Sequence, residues 1–444
     1  MTFSNFSLPN RPLTRRSVLA GSALLSLIAA TGCVPKAATS GSGAAGNLRF
    51  SFWGPAQVQA NYTKFAKTFE QENPEVSLTL EPAEYAAYLD RMTTQAAAKR
   101  LPDLFWVPES QIATYASQKV LLDLDGLNDG IIDYSQFAPG QVDSWRILGG
   151  KQFSAVFNQI NPTVQINKDA MDAVGIDIPD DETWRWEDLG AVAKDYAKAK
   201  GEGFYGMPYT ACNQLHITRW LRQHGAELFD KDGKIGFDAA VLGDWFAMWE
   251  AWVKDGTVMP AAIPGTVQPT FPQVAERTAV YVGQSNNFMD SQAVSKDELT
   301  VHLPPAIQGA AEGYSFLWYN RLCVSATTPD PELAGKFVNF FINHPAVVDT
   351  AGVVTGPPSN PKLREKALAK AVQDKTVPER KVLEILEKDL KRPMRARGAN
   401  PPGSLGWASL ANRAGENITT GGIPIDQAVK TLMTDLQRGL DAAK

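Results

Sequence analysis

Residues 101–124 read LPDLFWVPESQIATYASQKVLLDL. Asp103 to Val107 is a short apolar run, the pattern of a strand buried on both faces. Trp106 to Glu109 then fall at the strand's end. Working outward, Leu48 to Trp53 alternates in part and reads as a strand stopped by Gly54-Pro55. Asn61 to Glu72 carries Tyr62, Phe65, Ala66 and Phe69 at helical spacing, and Asn73-Pro74 ends it. Val76 to Leu80 alternates strictly and predicts a second strand, and Tyr85 to Lys99 predicts a helix. Strands alternating with helices predict parallel sheet with helices on its faces. Ligands then bind outside the carboxyl ends of the strands, where Trp53-Gly54 and Trp106 to Glu109 both stand.

From Val164 the same style repeats without repeating the sequence. Helices are expected over 188–200, 244–254, 331–343, 360–371 and 425–442, and strands over 278–282 and 322–325. Trp245, Trp249 and Trp252 are spaced four and three apart, which marks a core stripe rather than a site. Two stretches fit GxGxxG, at 41–46 and 201–206. A dinucleotide site needs that loop after a strand and opening a helix. The first copy precedes the first strand and the second follows a helix, so both read as linker or turn.

The N-terminus has its own logic. Arg11, Arg15 and Arg16 precede Val18 to Ala30, an apolar run of about thirteen residues, short of the ~20 that a membrane-spanning helix needs. A basic region, a short apolar region and small residues at Ala30-Thr31-Gly32 describe a secretory signal. Cys33 follows directly, and the pattern resembles the lipobox of bacterial lipoproteins, in which that cysteine becomes the lipidated first residue. Thr14 to Leu19 also resembles a twin-arginine export signal. Residues 1–32 are therefore expected to be removed, and 33–47, rich in Ala, Gly and Ser, to form a flexible tether. The expected location is the outer face of the bacterial cell membrane, reached through the lipid alone.

Losing residues 1–32 with their three arginines moves the formal charge from −5 to −8. Mild acidity without a basic cluster argues against nucleic acid. Cys212 and Cys323 stand far apart and outside any CxxC, so they read as buried thiols rather than a disulfide or a metal site.

The order of segments resembles family-1 extracellular solute-binding proteins of ABC importers, the group that contains maltose-binding protein. The stretch 101–124 is the closest match, with Pro-Asp before a strand, an aromatic, an acidic residue and a helix ending in Leu-x-Leu. RFSFWGP at 49–55, FEQENPEVSLTLEP at 69–82, ELAGKFVNFFIN at 332–343 and the closing GIPIDQAVKTLMTDLQRGL fit too. The resemblance spans 48–444 and implies an α/β chain with the type II periplasmic-binding-protein fold, two lobes with a ligand cleft between them. It implies lobe 1 over 48–157 and 300–346, and lobe 2 over 158–299 and 347–444. It implies membrane permease subunits as partners, a monomeric receptor and no cofactor. Where the family often has Gly-Gly-Ser-Trp, this chain reads Gly283-Gln284-Ser285-Asn286, an amide in place of a stacking ring.

A sugar offers apolar C–H faces to aromatic rings and hydroxyls that need paired donors and acceptors. By the resemblance, Trp106 would stack and Glu109 would accept hydroxyl hydrogens, and Trp407 would reach the cleft from lobe 2. Trp53 and Trp318 are further aromatic candidates, and Asn158, Tyr209, Asn213, Asn286 and Asn287 polar ones. Arg395 and Arg397 read as solvated surface arginines, with an anionic ligand as the alternative. The chain has no GxSxG, HExxH or GxxxxGK[ST], and its four His form no ligand spacing, so neither an enzyme nor a metal site is expected. The expected function is capture of a mono- or oligosaccharide. A polyol phosphate or a polyamine on the same fold is the alternative, and a surface glycan-acting enzyme stands behind both.

Overall fold

The computed structural model describes residues 46–443 apart from 129, 262–268, 396, 398 and 399. The signal peptide, Cys33 and most of the expected tether lie outside the described residues. Asn47, placed in the tether by sequence, instead opens the first strand, paired to Ser77.

Lobe 1 is built on a five-stranded sheet. Its strands are β1 (Asn47–Trp53), β2 (Ser77–Ala83), β3 (Leu104–Pro108), β4 (Ala155–Ile160) and, much later, β10 (Trp318–Val324), in the order β2-β1-β3-β10-β4. β1 runs parallel to β2 and β3, while β10 is antiparallel to β3 and β4. β3 is buried at every position, as a central strand covered on both faces requires, and β4 is equally buried at the sheet's edge. The helix Ala56–Glu72 lays Tyr62, Phe65 and Phe69 on one face, and the helix Pro331–Asn343 adds Phe337 and Phe341.

Lobe 2 has a second sheet of β5 (Pro162–Asn167), β8 (Val280–Gln284) and β9 (Leu299–His302), with β5 central and antiparallel to both neighbours. A short parallel pair, β6 (Met207–Pro208) and β7 (Val258–Met259), lies beside it. Its core is rich in tryptophan: Trp186, Trp245 and Trp249 are buried, and Trp252 packs against Gly190, where an added Cβ would meet the indole at 2.6 Å. The expected core stripe on the helix Ala239–Lys254 is therefore what forms. The second GxGxxG copy is a turn, with Gly201 closing the helix Trp186–Lys200 at φ +85°.

The lobe boundaries differ from those expected, because strand pairing sets them. β4 runs on to Ile160 within the first sheet. β9 pairs with β5, so the chain is still in lobe 2 at 302 and rejoins the lobe 1 sheet only at Trp318. Val347, Val348, Leu363 and Ala367 pack into the lobe 1 core, not lobe 2. The helix Val377–Leu390 serves both lobes. Leu383 packs in the lobe 1 core, and Val382 packs with Phe271, Phe288 and Leu299. Asn161 marks the first crossing. Its carbonyl accepts from Ser285 N at 3.0 Å, and its Nδ2 donates to Asp389 at 3.2 Å.

Candidate functional site

The carboxyl end of the lobe 1 sheet is where sequence placed a stacking ring and an acceptor. Trp106 alternates inward from β3 and is 1 % exposed. Its ring is enclosed by Trp53 at 5.1 Å, Tyr62 at 4.8 Å and Phe157 at 4.7 Å. Trp106 is thus a core residue, and its stacking face is already taken. Glu109, just past the strand, is also buried. One carboxylate oxygen accepts from Arg321 Nε at 2.6 Å and the other from Arg397 Nη2 at 2.8 Å. Burial pushes its pKa up, but the two guanidiniums outweigh that and hold it below the ordinary value. Glu109 is committed to two arginines rather than held open for a hydroxyl.

Trp53 is half-buried, with its edge against Trp106 and its ring 5.5 Å from Tyr85. Tyr85, 47 % exposed at the start of its helix, was not singled out by sequence. Its neighbour three residues on, Tyr88, points inward, and the spacing alone gives both the same face.

Three further expectations fall in packed interior. Asn158 joins strands: its Oδ1 accepts from Asn320 N at 3.3 Å and its Nδ2 donates to Thr355 O. Tyr209 lies in the lobe 2 core against Trp249. Trp407 is 1 % exposed beside Phe237 in the same core. It opens the helix Trp407–Thr419, whose Ala408 and Asn412, four apart and so on one face, are the residues that reach a cavity. Trp318 is buried as well, and the Arg397 guanidinium lies over its ring at 4.9 Å, so no open wall remains there.

The structure does bring Asn213 and Asn287 together. They line a cavity of about 520 Å³ in lobe 2, with Gln284, Asp290 and Asn412 around it and the rings of Phe271 and Tyr281 behind. Local structure explains each position. Asn213 is the N-cap of the helix Gln214–Gln223, and its Oδ1 accepts from Leu215 N at 3.0 Å. That leaves its Nδ2 without a partner among the described residues. Gln284 ends β8, and Asn287 closes the short turn Ser285–Asn287 after it. The side-chain amides of Gln284, Asn287 and Asn412 likewise make no hydrogen bond to described residues. Asn286 sits beside them but does not line the cavity, and its Oδ1 is buried without a partner among the described residues. His216 braces the helix against β8 through Nε2 to Gly283 O at 2.6 Å. Burial first, and then the nearby Arg219 charge, push its pKa down to about 3, so it stays neutral. Gln284 had been marked only as a departure from the family pattern. Asn412, Asp290 and Phe271 carry no signal beyond being polar or aromatic near loops.

A second cavity of about 520 Å³ lies where the lobes meet. Gln159, Tyr319 and Arg321 reach it from the lobe 1 sheet, and Phe316 and Leu317 from the crossing. Arg395 and Arg397 come from a segment tied to lobe 2, since Arg222 donates to Arg395 O at 2.8 Å and Arg395 pairs with Glu227 at 3.3 Å. Arg397 is not a solvated surface arginine, its side chain being 11 % exposed, and Arg395, 32 % exposed, is tied to Glu227. Ile160, Leu215, Phe316 and Trp318 pack together as a small buried cluster. Cys212 and Cys323 are both free and buried.

Two α/β lobes, crossed by the chain and enclosing a cavity where they meet, define the type II periplasmic-binding-protein fold. The chain belongs to the bacterial extracellular solute-binding protein family, whose profile matches residues 64–378. It is similar to a diacetylchitobiose-binding protein of Streptomyces coelicolor, 24% identical over 289 residues, 63% of this chain and 65% of that one. It is 23% identical over 213 residues to a binding protein of Brucella abortus, covering 46% of this chain and 49% of that one. The chain thus spans about half to two thirds of the length of these curated relatives. An oligogalacturonide-binding protein of Yersinia enterocolitica, solved with saturated digalacturonic acid, superposes with a TM-score of 0.75 at 17% identity, over 89% of this chain and 99% of that one. No described helix is long and apolar enough to cross a membrane.

Proposed function

We propose that this solute-binding protein captures a mono- or oligosaccharide outside the cell and hands it to the permease subunits of an ABC importer. One observation carries the reading: five amide side chains, Asn213, Gln214, Gln284, Asn287 and Asn412, line one cavity backed by two aromatic rings, with hydrogen-bonding groups unspent among the described residues. Each hydroxyl taken from water must find a donor and an acceptor or cost about 1–3 kcal/mol. Asn and Gln offer both from one group, which suits a hydroxyl that must donate and accept. Phe271 and Tyr281 supply apolar surface for the ring's C–H face. The Streptomyces and Yersinia proteins, named for the saccharides they bind, support the same class.

On this reading the saccharide is held by lobe 2, to which every described residue lining the amide cavity belongs. Cys33 would hold the receptor at the membrane through its lipid, and the small-residue stretch after it would give the folded part reach. A polyamine would want several free carboxylates, but Asp290 is the one carboxylate among the described residues lining the amide cavity. A glycan hydrolase would need a placed pair of them.

The test is a thermal-shift screen of the full chain against neutral mono- and oligosaccharides, polyol phosphates and polyamines. A ligand that binds only the folded state stabilises it by RT ln(1 + [L]/Kd), about 2.7 kcal/mol at a hundredfold excess over Kd. A shift confined to saccharides is the expected result. Shifts with polyamines alone would replace the reading.

A further inference from the structure

The cavity where the lobes meet has a charge pattern that neutral sugar recognition leaves unused. Arg146, Arg321, Arg364, Arg395 and Arg397 all line it. Glu109 and Glu387 are the carboxylates on the same wall, and Asp125 and Asp143 pair with Arg146, and Glu227 with Arg395, without lining it. Arg321 and Arg397 share the single carboxylate of Glu109.

The arginines are also not spent. Arg146 donates through Nε and Nη1 to Asp143, Asp125 and Gly150 O. Arg321 donates through the same two nitrogens to Glu109, Trp145 O and Ser154. Arg364 does so to Glu387, Pro358 O and Ser359 O. In all three, Nη2 has no hydrogen-bond partner among the described residues. Among the described residues Arg397 donates through Nη2 alone, to Glu109. A guanidinium is a rigid fork of donors that fits a carboxylate or a phosphate, and it stays charged at any working pH. At about 520 Å³ the cavity falls within the ~300–1,000 Å³ usual for small-molecule sites. Ser144 and Tyr319 on the same wall supply hydroxyls that a sugar would meet.

We propose that this cavity binds an oxyanion carried by the transported solute, so that the solute is an acidic sugar or polyol, a uronate or a phosphate ester. The proposal rests on the saccharide reading above and narrows its ligand class. The lobes supply the site jointly, Arg321 from β10 and Arg397 from the segment held by lobe 2, so the anion would also favour the closed arrangement.

The test is isothermal titration of the full chain with matched probes: hexoses, their uronates and their 6-phosphates, as monomers and short oligomers, with inorganic phosphate alongside. One acidic member is expected to bind ~10-fold or more tighter than its neutral parent, as charge-assisted hydrogen bonds would give. Whether the uronate or the phosphate wins identifies the source of the charge. That preference should shrink when NaCl is raised from about 20 to about 200 mM. Arg397→Gln should abolish it. Arg146→Gln, which leaves the buried Glu109 pair intact, should weaken the acidic member and spare the neutral one, so the test survives a misfolded Arg397 variant. Equal binding of acidic and neutral members, neutral members alone, or no binding by any probe would overturn the proposal. Inorganic phosphate bound with no sugar of either kind would uphold the arginine cavity and overturn the saccharide reading instead.

Discussion

At the scale of single residues, exposure and unspent hydrogen-bonding groups separate site from core. Asn287→Ala and Asn412→Ala should each weaken saccharide binding by ~10-fold, the equivalent of one lost hydrogen bond near 1.4 kcal/mol, with little change in melting temperature. Titration calorimetry and a melting curve on each variant check both halves. Trp106→Ala should do the reverse. Its ring is enclosed by Trp53, Tyr62 and Phe157. Truncation should therefore cost about 3–5 kcal/mol of stability in urea and leave the affinity of the folded protein alone. His216 gives a pH signature. Its folded pKa of about 3 lies below the unfolded value of 6.5, so between those values the unfolded chain holds the extra proton. The stability from keeping it neutral is complete above the unfolded value and is lost as pH falls, by up to about 1.4 kcal/mol per unit. Urea unfolding at pH 7 and pH 5 should show a smaller loss in His216→Gln than in the parent. An equal loss would place the sensitivity elsewhere.

At the scale of elements, legibility followed periodicity. The helices Pro331–Asn343 and Ile425–Ala442 have clear apolar stripes, and the first has Asp330 as its N-cap, accepting from Leu333 N at 3.0 Å. Both were readable to the residue. The helix Gln214–Gln223 was not: His216, Arg219 and Arg222, three apart on one face, have the pattern of a solvated face, but the helix is buried almost all round. Yet it presents Asn213 to the amide cavity. The same rule explains the aromatics: a strand-end tryptophan and a core tryptophan look alike in sequence, and only the packing of Phe157 and Phe341 around Trp106 decides. Trp407 is the milder case: its ring is core, and Ala408 and Asn412, one and five positions on in a helix that the sequence reading did not predict, line a cavity. The helix Val377–Leu390 was missed altogether, although it packs on both lobes. Leu383→Ala should cost about 2–5 kcal/mol, measured by urea unfolding, since Leu383 is buried in the lobe 1 core.

At the scale of the molecule, the order of segments named the family and the fold, but the lobe boundaries depended on pairings between distant strands. No local pattern marks Leu299–His302 as a partner of β5, or Val347 and Leu363 as lobe 1 core. The same distance effect hid the charges. Arg397 meets Glu109 across 288 positions of chain, and five arginines gather from segments that composition shows as evenly spread. Function follows from this convergence: amides from three segments make the neutral cavity, and strands and crossings make the charged one. The measurement that tests the central claim most directly is titration calorimetry of the full chain with neutral and acidic saccharides, repeated on Asn287→Ala. The account predicts saturable heat with one saccharide class and an affinity ~10-fold weaker in the variant. Binding of no saccharide, or an unchanged affinity in Asn287→Ala, would contradict it.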